Sequence, residues 1–113
     1  MIETIVLNAL DSALDVPVYM EAPENRPVSY VIVQKTGSQR NNRIDSATIA
    51  VQSIAPTLQG AAELNESVKA IMDQLSETET DIFRAELNSD YNFTNTQTKE
   101  RRYQAVYDIT YKE

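Results

Sequence analysis

A chain of 113 residues has volume for one hydrophobic core, so residues 1–113 are read as a single domain. Its 10 basic and 17 acidic residues give a formal charge of -7, which argues against a general nucleic-acid-binding surface, because phosphate contacts are made mainly by Lys and Arg. Cysteine and histidine are both absent, which removes disulfides, a thiolate nucleophile, the commonest general base and the commonest neutral metal ligand.

Met1 to Leu14 carries Ile2, Ile5, Val6, Ala9, Leu10, Ala13 and Leu14 in one apolar stripe, predicting a helix of about three to four turns. Val16, Val18 and Met20 then alternate with Pro17, Tyr19 and Glu21 as a short strand. Its internal proline lacks a ladder donor and assigns it to a sheet edge. Pro23 and Pro27 bracket Glu24-Asn25-Arg26, a polar turn that returns the chain as a strand beginning near Val28. Both alternating faces of Val28–Lys35 carry bulk, so a helix or a neighbouring subunit is expected on each side of the sheet. The first helix suits the face that the later helix leaves open, or docks on another subunit.

Gly37 to Ile44 offers no packing side chain before Ile44 and reads as a long polar loop, either a mobile tip or a segment ordered against something outside the domain. Asp45–Ala55 is a strand with Ile49, Val51 and Ala55 on one face and Ala50 and Ile54 on the other. Pro56 stops it. Leu58, Ala61, Leu64, Val68, Ile71, Met72 and Leu75 then recur at helical spacing. After the polar interval Ser76–Thr80, Phe83, Ala85 and Leu87 alternate with Arg84 and Glu86, favouring a strand over a helical turn. Asn88–Thr98 is rich in side chains that hydrogen-bond their own backbone and reads as a long loop or splayed hairpin. The last strand alternates strictly: Arg101, Tyr103, Ala105, Tyr107, Ile109 and Tyr111 against Arg102, Gln104, Val106, Asp108 and Thr110. The fold class is α+β: a mixed, largely antiparallel sheet of four or five strands, packed with an N-terminal helix and one long central helix, its strands paired in sequential antiparallel order with one crossover.

The motifs for chemistry are thin. Paired-carboxylate catalysis needs two acids across a cleft, and the candidates Asp45, Asp90 and Asp108 are read as structural or solvated. Asn88, Asp90, Asn92 and Thr94 mimic an oxygen-rich calcium loop, but Phe93 stands where the turn glycine belongs and Lys99 where the bidentate Glu belongs; local backbone capping is the better account. Gly37 and Gly60 form no phosphate loop. The chain is read as a non-enzyme with no catalytic, metal or cofactor residues. No apolar run is long enough to span a bilayer, and the start lacks the pattern of a secretory signal, so use on the cytosolic side is expected.

What remains points to subunit contacts. Tyr103 and Tyr107, with Arg101 nearby, are expected to cover the helix or a neighbouring subunit. Arg40 and Arg43 of the first polar loop would reach the acidic helix of an adjacent copy, where Glu63, Glu66, Asp73, Glu77, Glu79 and Asp81 crowd. Asp90, Tyr91 and Phe93 belong to the second polar loop, the other docking tip.

Val16-Pro17-Val18-Tyr19, Arg43-Ile44-Asp45-Ser46-Ala47-Thr48, the Gln52-Ser53 strand leading into an Ala/Glu-rich helix, Leu87-Asn88-Ser89-Asp90-Tyr91-Asn92-Phe93 and Arg102-Tyr103-Gln104-Ala105-Val106-Tyr107-Asp108 follow one another in an order that spans nearly the whole chain. In this order they resemble the small tail-terminator or tail-completion proteins of long-tailed bacteriophages and prophages. The resemblance implies a non-enzymatic, cofactor-free minor tail protein, a homo-oligomer that closes into a ring, often a hexamer, at the head-proximal end of the virion tail. Its implied partners are the major tail tube protein and a head-completion or connector protein. DNA would pass through the channel without specific binding, and assembly would take place in the host cytoplasm. Carboxylates facing such a channel would repel phosphate, whereas a pore lined by Arg40, Arg43 and Arg101 would contradict that idea. The alternatives are a head-tail connector or head-completion component of the same particle, and a small non-enzymatic adaptor domain.

Overall fold

In the computed structural model, which describes residues 1–41 and 44–112, the N-terminal stripe forms α1 (Ile2–Ala13) and buries Ile2, Val6 and Leu10, each four residues after the last. The chain leaves α1 extended and makes β1 (Val18–Tyr19), which pairs with β2 (Tyr30–Asn41) at Val18 and Val31 and at Tyr19 and Ile32. Pro17 contributes only its carbonyl, which accepts from Val31 N at 3.0 Å, so the missing donor costs nothing at this edge. The pairing is parallel, which corrects the expected antiparallel return. Residues 20–29, with prolines at both 23 and 27, make a wide loop back to the same end of the sheet rather than a tight turn.

β2 and β3 (Ile44–Ala55) form a hairpin of 12-residue strands, paired from Tyr30 with Ile54 out to Asn41 with Ile44. The expected loop from Gly37 to Ile44 is therefore strand up to Asn41 and again from Ile44. Sequence pattern misses the β2 side of it because every residue from Gly37 to Asn41 is exposed and no alternation is required there. Cross-strand polar pairs hold the arm instead: Arg40 Nε donates to Asp45 Oδ1 at 2.7 Å and Nη2 to Oδ2 at 3.3 Å, directly opposite in register.

Pro56 ends β3, and Thr57 caps α2 (Leu58–Asp73), its hydroxyl accepting from Gly60 N at 3.0 Å. A Cβ on Gly60 would stand 3.1 Å from that hydroxyl and 3.3 Å from Ala55 Cβ, so the glycine lets the first turn close onto the strand end. Ala61, Asn65, Val68 and Met72 bury one stripe of α2, and the short α3 (Leu75–Thr78) adds Leu75. β4 (Ile82–Asn92) and β5 (Arg101–Tyr111) complete a five-stranded mixed sheet in the order β1-β2-β3-β5-β4. Of the two sequence readings of Asn88–Thr98, long loop or splayed hairpin, the hairpin is closer: Asn88–Asn92 continues β4, and 93–100 connects the last two strands.

The fold is α+β, with both long helices on one face of the sheet. Ile2, Val6 and Leu10 of α1 and Val68 and Met72 of α2 share a core with Val31, Val33, Ile49, Val51, Ala105, Tyr107 and Ile109. Of the two coverings expected, a helix or a neighbouring subunit on each side, the second face receives no helix. The two helices bury more apolar surface against each other and a common face than either would alone, so the second face keeps only a small cluster, Tyr30, Ile32 and Ile54, with Tyr19 edge-on to Tyr30 at 6.1 Å.

Candidate functional site

The helix-free face of the sheet is where the strand alternation places polar side chains at positions that would otherwise be core. β3 presents Thr48, Ala50, Gln52 and Ile54 there, and β5 presents Arg102, Gln104, Val106 and Asp108 opposite them in register. Gln52 and Gln104 are both buried and bond to each other, Gln52 Nε2 donating to Gln104 Oε1 at 3.0 Å. The bond is one link of a chain that crosses the sheet. Arg102 Nη1 donates to Gln52 Oε1 at 2.8 Å, and Gln104 Nε2 donates to the Tyr91 hydroxyl on β4. Tyr91 in turn stands edge-on to Phe93, with ring centroids 5.9 Å apart.

The other end of the chain is anchored by Glu100, just before β5. Its Oε2 accepts from Arg26 Nη1 at 2.8 Å and from the Tyr30 hydroxyl at 2.9 Å, and its Oε1 accepts from Arg102 Nη2. Burial alone would raise this carboxyl, but the Tyr30 hydroxyl and the guanidinium groups of Arg102 and Arg26 outweigh it and hold it below the usual carboxylate range. Burial raises the Tyr30 phenol, and the neighbouring carboxylate adds to the rise. The cluster is therefore a fixed anion between two cations and a neutral phenol. It pins the start of β5, the turn around Arg26 and the start of β2 to one another. Further along the same face, Asp108 accepts from Thr48 Oγ1 at 3.2 Å and from Asn88 Nδ2 at 3.0 Å, which ties β3, β5 and β4 together.

The residues singled out from sequence do not converge on one patch. Tyr91 and Phe93 lie together on the helix-free face. Asp90 points the other way, where Lys69 Nζ of α2 donates to it at 3.3 Å. Tyr107 is buried in the core beneath α2, and its hydroxyl donates to Asp73 Oδ1 at 2.8 Å; burial, and then this bond, pushes its phenol far above the ordinary range. That position takes it off the accessible surface of the subunit. Tyr103 is half-buried on the helix side, and Arg101 is exposed beside Pro56 and Leu58. Arg40 sits at the far end of the sheet, in the row of Asp45, Tyr111 and Ile82, and its salt bridge is to Asp45 of its own hairpin. Arg43 lies outside the described residues. Of the calcium-like run, Asn92 caps local backbone, its Oδ1 accepting from Thr94 N at 3.0 Å, whereas Asn88 donates to Asp108 and Asp90 accepts from Lys69; just beyond the run, Asn95 Oδ1 accepts from Gln97 N at 3.0 Å.

Arg26, Tyr30, Gln52, Glu100, Arg102 and Gln104, the members of the network, were not legible as a group. The one available signal was a glutamine at a mid-strand position in both β3 and β5, which marks a buried polar pair only once the register is known.

No family model matches this chain, and no curated protein matches it. Among solved structures it is similar to a chain of the virion of a native gene transfer agent particle, at 12% sequence identity and a TM-score of 0.47, with 96% of this chain and 84% of that chain covered.

Proposed function

We propose that this protein is a structural subunit of a long-tailed phage or prophage particle. In this reading it closes into a ring at the head-proximal end of the tail tube, ends tube polymerisation and offers the joining surface to the head. The ring is hexameric by the same family resemblance. It has no catalytic role and takes no cofactor; its partners are other copies of itself, the tail tube protein and a head-completion or connector protein.

The observation that carries the reading is the distribution of finished and unfinished surface. The helices close one face of the sheet, while side-chain hydrogen bonds join β3, β5 and β4 across the opposite face, and the long strands run the length of a body measuring 43 × 25 × 24 Å. A ring of identical subunits needs two different patches on each copy, one fitting the other, and the β2 side of the sheet with the β4 edge opposite it meets that need. The net charge of -7 fits a channel wall that sheds the phosphate backbone.

Deletion of the gene tests this. Filled heads beside tails of uncontrolled length are expected. Tails of normal length that fail to join heads would transfer the protein to the head-tail connector class, and normal virions would overturn the reading. A cryo-electron map of the ring should show carboxylates along the channel; a channel lined by Arg40 and Arg101 would refute the charge argument.

A further inference from the structure

Two open strand edges stand at the same height on opposite sides of the sheet. β4 is the last strand in the sheet order and pairs only with β5. β1 covers β2 only at Val31 and Ile32, which leaves the outer half of β2 without a strand beside it among the described residues. Both edges carry irregularities, between Lys35 and Gly37 on β2 and at Ile82/Arg84 and Leu87/Ser89 on β4. The regular stretches between and beyond them are Gly37–Asn41 and Arg84–Leu87. Traced through the pairings, these lie level: Gly37, Thr48, Asp108 and Glu86 share one row, and Gln39, Ser46, Thr110 and Arg84 another.

The strand directions also match. β2 runs opposite to β3, β3 to β5 and β5 to β4, so β2 and β4 run in opposite senses. Copies related by rotation about an axis along the strands therefore bring β4 of one alongside β2 of the next in antiparallel sense, the more stable ladder.

Gly37 supplies an independent sign. Its φ is not positive, so the adjacent bulge does not require glycine, and a Cβ there would meet nothing within 4 Å inside the subunit. A glycine inside a strand weakens it, and one that neither conformation nor internal packing demands leaves room for another backbone to come close. Across from it, Phe83 and Leu87 stay 54% and 43% exposed on β4.

We propose that Gly37–Gln39 of one copy pairs antiparallel with Arg84–Glu86 of the next, with Lys35 and Leu87 level just beyond them, so that the sheet continues from subunit to subunit around the ring. The inference rests on the ring reading above and names its interface.

The chain lacks cysteine, so Gln39→Cys with Arg84→Cys places a thiol on each edge in one row, both on exposed side chains. Oxidation should produce a reducible ladder of covalent multiples ending at the closed ring, while either single variant stops at dimer. Leu87→Lys, which sets a second cation in the row of Lys35 of the neighbouring copy, should leave the circular dichroism and melting of the subunit unchanged and weaken association at least tenfold. If native mass spectrometry shows the closed oligomer but Gln39→Cys cross-links with neither Arg84→Cys nor Glu86→Cys, the edge pairing is wrong and the ring stands. Unchanged association of Leu87→Lys has the same meaning, and it decides the matter alone if the double variant does not fold. A strict monomer both in solution and on tail tubes removes the ring reading and the interface with it.

Discussion

Replacing Glu100 with alanine removes the anion that Arg26, Tyr30 and Arg102 share. The side chain of Glu100 is 13% exposed and that of Arg102 18%, so the substitution leaves a guanidinium largely out of water without its counter-charge. Breaking a buried pair by deleting one partner costs about 3–5 kcal/mol. The pairing here is only partly buried, and the Arg26 contact, with that side chain 52% exposed, adds little to it. We expect Glu100→Ala to lose about 3 kcal/mol out of a total on the order of 5–15 kcal/mol. In urea this moves the midpoint down by roughly 1–2 M with little change in slope. Glu100→Gln keeps the shape and one acceptor oxygen, and should lose about 1–2 kcal/mol at neutral pH.

The pH dependence separates charge from packing. The folded carboxyl is held below its ordinary value of 4.5, so its stabilising contribution is complete above that value and disappears as the pH falls through the lower folded pKa. The gap between wild type and Glu100→Gln should therefore be widest near neutrality and shrink below about pH 4.5. A gap of constant size from neutral to acid pH, or a Glu100→Ala variant within about 0.5 kcal/mol of wild type, would show that the cluster is not the lock described here.

Tyr107→Phe deletes the buried hydroxyl that donates to Asp73 and should cost about 1 kcal/mol by urea titration. Because the Tyr107 phenol is raised well above its ordinary value of 10.0, it favours the folded state fully below that pH and less as alkali ionises the unfolded chain; wild type should lose its advantage over Tyr107→Phe above about pH 10. Leu10→Ala opens a cavity where α1 meets the common core and should destabilise by about 2–5 kcal/mol. Thr57→Ala removes the α2 cap and should cost about 1 kcal/mol, seen as a lower melting temperature with the native circular dichroism spectrum retained.

The elements with one buried face were legible from the chain itself. The strict alternation of β5, the stripes of α1 and α2, the stop at Pro56 and the edge position of β1 each follow from local rules: a side-chain period of two or 3.6, or a missing donor. The outer end of β2 and the second half of β4 were not, since a strand segment whose side chains are nearly all exposed has no hydrophobic pattern to display and its polar residues look like loop. Asn92 and Thr94 bond locally, as their composition suggests, while Asn88 and Asp90 reach Asp108 and Lys69, partners that only the fold supplies.

Composition and periodicity by themselves determined an α+β chain with one principal core, a helix at its start and a helix at its middle. Tertiary structure alone decided that both helices share a face, that β1 runs parallel to β2, and that Gln52, Gln104, Arg102 and Glu100 join into one network. Those outcomes depend on which surfaces bury the most area together and on a register between strands some 50 residues apart in the chain, as Gln52 and Gln104 are. No local window of sequence contains either quantity.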